Sequence, residues 1–123
     1  MRVAQKTGSH RVQRVWEGVT IRAVHGELVT LAVAELEPNV VVPEHQHVNE
    51  QIGLVLSGSA TFTAGGERVE LTAGGTYRLP ANVPHEVEAG PGGAVFVESF
   101  SPIREDWKAL PEEATPRLRW PAE

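Results

Sequence analysis

From Arg11 onward the apolar positions fall in short runs cut by turn residues. Val12, Val15 and Trp16, then Val19, Ile21 and Ala23, then Leu28 to Leu36 are separated by Glu17-Gly18 and His25-Gly26-Glu27. Runs of β-branched and apolar residues at this spacing predict strands and turns. Glu37-Pro38-Asn39 breaks the chain before Val40-Val41-Val42, and Pro43 limits the strand that follows. Gln51 to Leu56 reads as a strand, Ser57-Gly58-Ser59 as a turn and Ala60 to Thr63 as a strand. Gly65-Gly66 reads as a tight hairpin turn, and Arg68 to Leu71 as the returning strand. Thr76 to Leu79, His85 to Ala89 and Ala94 to Phe100 complete the set, punctuated by Gly74-Gly75, Pro80, Pro84 and Gly90-Pro91-Gly92-Gly93. Many short strands with frequent Gly and Pro turns predict an all-β sandwich or barrel.

Only the C-terminal end carries a helical pattern. Ser101-Pro102 suits a helix start, with Ser as N-cap and Pro at the first helical position, and Ile103, Trp107 and Leu110 then share one face. Pro111 limits this helix to about 102–110. Residues 111–123 read as an extended tail in which Leu118 and Trp120 are expected to pack on the body or on a second subunit. Residues 1–10 are polar, lack periodicity and read as a loose arm.

At 123 residues the chain makes one domain, with its core at about 11–100, large enough to fold without metal or disulfide staples. It contains no cysteine, so a disulfide framework, a thiol nucleophile and a thiolate metal site are all excluded, and any metal must sit on nitrogen and oxygen. The net charge is −5, with 16 Asp and Glu against 11 Lys and Arg. Without a basic cluster beyond Arg117-Leu118-Arg119, neither nucleic acid nor an anionic membrane is an expected partner. No apolar run approaches the roughly 20 residues of a membrane span, and the first residues do not lead into a signal peptide. A soluble, cytoplasmic protein is expected, acting on a small molecule.

The chemistry concentrates in Pro43-Glu44-His45-Gln46-His47-Val48-Asn49-Glu50-Gln51. Side chains two apart on a strand share a face, roughly 6.6 to 6.8 Å apart, so His45 and His47 can converge on one ion. A third ligand from Glu50 or Gln51 requires a turn near Val48-Asn49, because a straight strand would carry Gln51 about 13 Å beyond His47. Gln51 is preferred: its face continues through the small Gly53 and Val55, whereas Glu50 begins the bulky set Ile52, Leu54, Leu56. His85 leads a strand in which His85, Val87 and Ala89 alternate with Glu86 and Glu88, which turns the histidine inward. His25, beside a turn glycine, reads as a surface residue.

Taken together, His45, His47, Gln51 and Gly58, then Gly75, Pro80, Asn82 and His85, resemble the two motifs of the cupin superfamily over roughly residues 30–100. The resemblance implies a double-stranded β-helix (jelly roll) holding one divalent transition ion, nickel, zinc, iron or manganese, on His45, His47, Gln51 and His85. Two departures stand out. Asn82 replaces the usual glycine, a mild change because Asn tolerates the left-handed conformation. Gln51 replaces the usual carboxylate, so the ion would keep its full positive charge, which favours polarisation chemistry over oxidation.

A narrower resemblance lies in His45 to Gly53 and in Phe100 to Asp106. Both are similar to small cupins of pectin degradation, which convert the ring form of unsaturated uronates to a linear keto form. That resemblance implies pocket roles for Glu98, Phe100 and Arg104; the family's acid is usually Asp. Glu98 and Phe100 share one strand face, and Arg104 follows at the expected helix start. Two other classes of function remain open on the sequence: a cupin oxygenase acting on an aromatic or diketone substrate, and a non-catalytic small-ligand-binding module. A homodimer is expected, because Ile52, Leu54 and Leu56 face away from the metal yet are apolar.

Overall fold

In a computed structural model, which describes residues 3–121, eight antiparallel strands make one continuous hydrogen-bonded system. They are β1 (Gln13–Trp16), β2 (Val19–His25), β3 (Thr30–Leu36), β4 (Val41–His45), β5 (Glu50–Ala64), β6 (Glu67–Thr72), β7 (Thr76–Leu79) and β8 (His85–Ser101). The path runs β1-β2-β3-β8-β5-β6, with β4 added on β8 and β7 on β5. This is the expected jelly roll, and its organising feature is the pairing of the two longest strands, from Glu50 opposite Ser101 to Ala64 opposite His85.

Each long strand changes neighbours halfway. The first half of β5 pairs with β7 and its second half with β6, while β8 pairs first with β4 and then with β3. The pair thus belongs to two sheets at once and closes a barrel around Ile21, Val42, Val55, Phe62, Val87 and Phe96, all buried. The change of sheet occurs at register shifts between Val55 and Ser57 and between Gly58 and Ala60. Gly58 has φ +75°, and a Cβ there would lie 2.1 Å from the carbonyl oxygen of Gly93, so the crossing needs a residue without a side chain.

Two turns expected from the sequence are therefore not turns. Ser57-Gly58-Ser59 is a bulged bend inside β5, and Gly90-Pro91-Gly92-Gly93 lies within a single β8 rather than between two strands. Gly65-Gly66 does make the tight hairpin, with both φ values positive (56° and 81°).

The C-terminal helix is also revised. It is a 3-10 segment, Glu105–Ala109, and does not start at Ser101-Pro102. Ser101 remains in the ladder opposite Glu50, and its hydroxyl donates to the carbonyl of Leu28 instead of capping a helix. The carbonyls of Pro102 and Ile103, which a helix would need as acceptors, are taken by the side-chain amide of Asn49 at 2.6 and 3.3 Å. Trp107 is nevertheless buried, and Ile103 and Leu110 half-buried, as the shared face implied.

The tail crosses the outside of the barrel. Buried Glu35 accepts from Arg22 (3.0 Å) and from the backbone N–H of Arg119 (2.8 Å), and Arg119 Nη2 donates to the carbonyl of Leu36. Trp120 is half-buried beside the Arg22 guanidinium, whereas Leu118 stays exposed. The N-terminal arm carries a short 3-10 turn, Thr7–Ser9. Among the described residues no helix is long and apolar enough to cross a membrane. Ile52 is exposed and Leu54 and Leu56 are half-buried on the outer face.

Candidate metal centre

His45 ends β4 directly opposite His85, which begins β8, and His47 lies in the loop between β4 and β5. That loop turns at Val48-Asn49 as expected. It is held by the bonds of the Asn49 side chain and by the Asn82 N–H, which donates to the carbonyl of His47 at 2.8 Å. Asn82 has φ 60°, the left-handed conformation for which a glycine is usual. The hydrogen bond ties the second histidine-bearing turn to the first.

The rings of His45 and His85 are 4.4 Å apart between centroids, and those of His47 and His85 4.9 Å. Each Nδ1 faces a backbone carbonyl: Pro43 for His45 (2.9 Å), Asn49 for His47 (2.9 Å) and Val83 for His85 (3.0 Å). A carbonyl only accepts, so each neutral imidazole carries its proton on Nδ1 and turns an Nε2 lone pair inward, the tautomer that metal ligation requires. The three ligating atoms lie within 4.8 Å of one another. Donors at about 2.0 to 2.1 Å from one ion lie roughly 3.0 to 3.4 Å apart at octahedral or tetrahedral angles, so the rings close by up to about 1.5 Å to complete the set.

Gln51 is buried and inward, as its small neighbours implied, while Glu50 is exposed. Its Nε2 donates to Glu98 Oε1 at 2.8 Å, which leaves its Oε1 facing His47 Nε2 at 3.1 Å. With the His47 proton on Nδ1, those two atoms are both acceptors, and facing lone pairs repel unless a cation or a proton lies between them. Burial, and then the nearby Arg104, push the His47 pKa down, which disfavours the proton. A divalent cation suits the arrangement, and three imidazoles with one amide oxygen form a nitrogen and oxygen set appropriate to first-row transition ions.

Burial likewise lowers the His85 pKa, to about 4, with the neighbouring His45, His47 and Arg104 adding to the effect and the Val83 carbonyl opposing it. In the unfolded chain the same group titrates near 6.5. Between those values the unfolded chain binds the extra proton, so the metal-free protein loses stability as pH falls from about 6.5 to about 4. The loss from this group is at most about 3 kcal/mol, because the ring, although only 3% exposed, opens on a cavity. Urea midpoints of metal-free protein should fall between pH 7 and pH 4.5, and His85→Asn should shrink the fall; an equal fall in both chains would contradict this.

The histidines line a cavity of about 240 Å³ together with Val42, Phe62, Val87 and Phe96 and with Glu98, Phe100 and Arg104. The sequence thus placed all seven candidate residues on one cavity. Glu98 is buried, and its Oε1 accepts from both Gln51 and the Tyr77 hydroxyl (2.5 Å). Oε2 has no partner among the described residues and is not sealed off, so it is the oxygen offered to the cavity. Burial raises the Glu98 pKa, and the hydrogen bonds from Tyr77 and Gln51 and the charge of Arg104 counter it.

Arg104 is buried against two rings that touch each other, its guanidinium carbon 4.9 Å from the centre of Phe100 and 4.3 Å from that of Trp107. Its backbone N–H donates to Thr30 Oγ1 at 2.9 Å. Nε and Nη2 donate to both carboxylate oxygens of Asp106 at 3.1 and 2.9 Å.

Sequence reasoning offered Asp106 as an ion-pair partner of Arg104, which it is, but missed Tyr77. Tyr77 could have been found, because alternation in Thr76 to Leu79 turns it inward with Leu79, and a buried phenol needs a partner. Its ring occupies the space a Cβ on Gly53 would enter, 2.2 Å away, so Gly53 makes room for it.

No curated protein matches the chain significantly. Solved structures do. KdgF from Halomonas sp. superposes with a TM-score of 0.78 at 24% identity, over 86% of this chain and 98% of that one. An RmlC-like cupin from Shewanella frigidimarina NCIMB 400 gives 0.79 at 20% identity, over 86% and 96%. The Schizosaccharomyces pombe Cnp3 cupin domain gives 0.70 at 13% identity, over 81% and 74%. At these identities the likeness establishes the fold. The family described as Cupin domain (Cupin_2) matches residues 32–100, more than half of the sequence and the segment that carries both histidine turns, and the chain belongs to that family.

Proposed function

We propose that the chain is a metal-dependent isomerase that opens the ring of a 4,5-unsaturated uronate to the linear keto acid. The observation that carries the reading is the composition of the cavity: a converging set of neutral donors, a buried carboxylate with one free oxygen and a buried guanidinium, all lining it. Similarity to the small cupins of pectin degradation, in motif and in fold, points the same way. At about 240 Å³ the cavity lies below the roughly 300 to 1,000 Å³ of drug-sized sites and suits a ligand of one sugar ring.

His45, His47, Gln51 and His85 would hold a divalent ion, which supplies Lewis acidity toward a substrate oxygen when bound. Arg104 binds the uronate carboxylate by charge-assisted hydrogen bonds. Phe100 and Trp107 keep the guanidinium in place and exclude water from its faces. Glu98 Oε2 takes the proton of the anomeric hydroxyl as the bond between the anomeric carbon and the ring oxygen breaks. The resulting enolate then gains a proton at the adjacent alkene carbon and becomes a ketone. One proton leaves and one is added, so the product is an isomer and no oxidant is needed.

Incubation with a 4,5-unsaturated galacturonate should therefore convert it to a linear keto isomer of unchanged mass, read by NMR and mass spectrometry. Oxygen uptake or a mass change would favour the oxygenase reading, and binding without turnover the binding-module reading. The same proposal has the chain act as a homodimer through the apolar outer face around Ile52, Leu54 and Leu56, supported by the exposure of Ile52. Light scattering should return twice the 13.3 kDa chain mass, and a 13.3 kDa particle would contradict it.

A further inference from the structure

We propose that Asp106 sets how tightly this cavity holds an anionic ligand: its carboxylate occupies the Arg104 fork in the ligand-free protein and is displaced by the carboxylate of that ligand. This inference rests on the reading of Arg104 as the carboxylate-binding group.

The two partners of the pair differ in how firmly they are held. Arg104 has a side chain only 9% exposed, packed against Phe100 and Trp107, with its backbone N–H bonded to Thr30. None of those contacts involves Asp106, whose carboxylate is the guanidinium's hydrogen-bond partner among the described residues. Asp106 has a side chain 65% exposed, stands on the short Glu105–Ala109 segment at the cavity mouth and makes no other side-chain hydrogen bond among the described residues. An exposed carboxylate released from the pair regains water, whereas a buried guanidinium left alone does not. The carboxylate is therefore the partner that moves.

Its position also shows what the fork accepts. Both oxygens of Asp106 lie on Nε and Nη2, the planar bidentate arrangement that a carboxylate takes on a guanidinium. A ligand carboxylate reaching the same edge must compete with this internal one, so its apparent affinity is reduced by the fraction of molecules in which the fork is closed. A neutral sugar gains nothing by displacing Asp106 and meets a fork already neutralised. Asp106 thus weakens binding of the preferred anion and leaves that of uncharged analogues unaffected.

The test is calorimetric titration of the metal-loaded wild type, Asp106→Asn and Arg104→Met with saturated D-galacturonate and with its neutral methyl ester. Asparagine keeps the shape of the side chain and removes its charge. Asp106→Asn should bind galacturonate about five- to tenfold more tightly than wild type, with affinity for the ester unchanged within about twofold. Arg104→Met should lose the preference for the anion. If Asp106→Asn binds galacturonate equally or more weakly while Arg104→Met still loses the preference, the competition is wrong and Asp106 merely steadies Arg104. If Arg104→Met keeps the preference, or neither wild type nor Asp106→Asn binds galacturonate, the assignment of Arg104 fails and the inference with it.

Discussion

Replacing Glu98 with Gln is expected to lower kcat on an unsaturated uronate by about 10² to 10⁴ while leaving fold and metal content intact. The specificity of this variant comes from the surroundings of the carboxylate. Oε1 accepts from Tyr77 and Gln51, and the carbonyl oxygen of a glutamine can accept both of those bonds in the same place. The amide nitrogen then replaces Oε2, the atom that faces the cavity, so only the proton-transferring oxygen is altered. Because Gln51 keeps its partner, its own oxygen still points at His47, and the donor set is unchanged.

Arg104→Met should behave differently, since a charge-assisted contact to substrate is present before and during reaction. Its loss is worth about 1.5 to 3 kcal/mol, roughly ten- to a hundredfold, and should appear mainly in KM. Steady-state kinetics on both variants separates the two roles, and an unchanged kcat in Glu98→Gln would remove Glu98 from the mechanism.

The second large effect is expected from the double variant His45→Ala, His85→Ala. Protein purified without added metal should carry one divalent ion per chain, and the double variant should carry none. The two residues are register partners on β4 and β8, so their removal takes away two of four donors without touching the loop that holds His47 or the start of β5 that holds Gln51. Elemental analysis reads the stoichiometry. Calorimetric unfolding should also show the variant unresponsive to added ion, where a ligand at a hundred times its Kd stabilises the wild type by about 2.7 kcal/mol. Metal retained at full occupancy in the double variant would refute the ligand set.

The parts of the site legible in the sequence are those governed by strand alternation. His85 with Val87, Gln51 with Gly53 and Val55, and Glu98 with Phe100 all point inward because side chains alternate strictly along a strand, and the first of each pair inherits the face of the second. The loop at Val48-Asn49 was legible because the chain has to reverse for Gln51 to approach His47. What it does beyond reversing was not: Asn49 anchors Pro102 and Ile103, a contact across more than fifty residues that no local pattern encodes.

The misread segments share a physical cause. Gly58 and the Gly90–Gly93 stretch carry the same residue types as a chain reversal, but glycine serves equally for a bend within a strand, and only the pairing of β5 with β8 decides between them. At Ser101-Pro102 the local helix-start signal is sound, yet the ladder to Glu50 holds Ser101 extended, so tertiary pairing overrides it. An ion pair between Arg104 and Asp106 is readable from their spacing, but the place of Asp106 on the cavity is not, because it depends on where Trp107 buries.

The most direct test of metal-dependent uronate isomerisation follows the ultraviolet absorbance of a 4,5-unsaturated galacturonate with three preparations of the wild-type chain: as purified, stripped with chelator, and stripped then reloaded with one equivalent of divalent ion. Absorbance should fall faster than the spontaneous rate with the first, at the spontaneous rate with the second, and faster again with the third; no acceleration under any metal loading would contradict the proposed function.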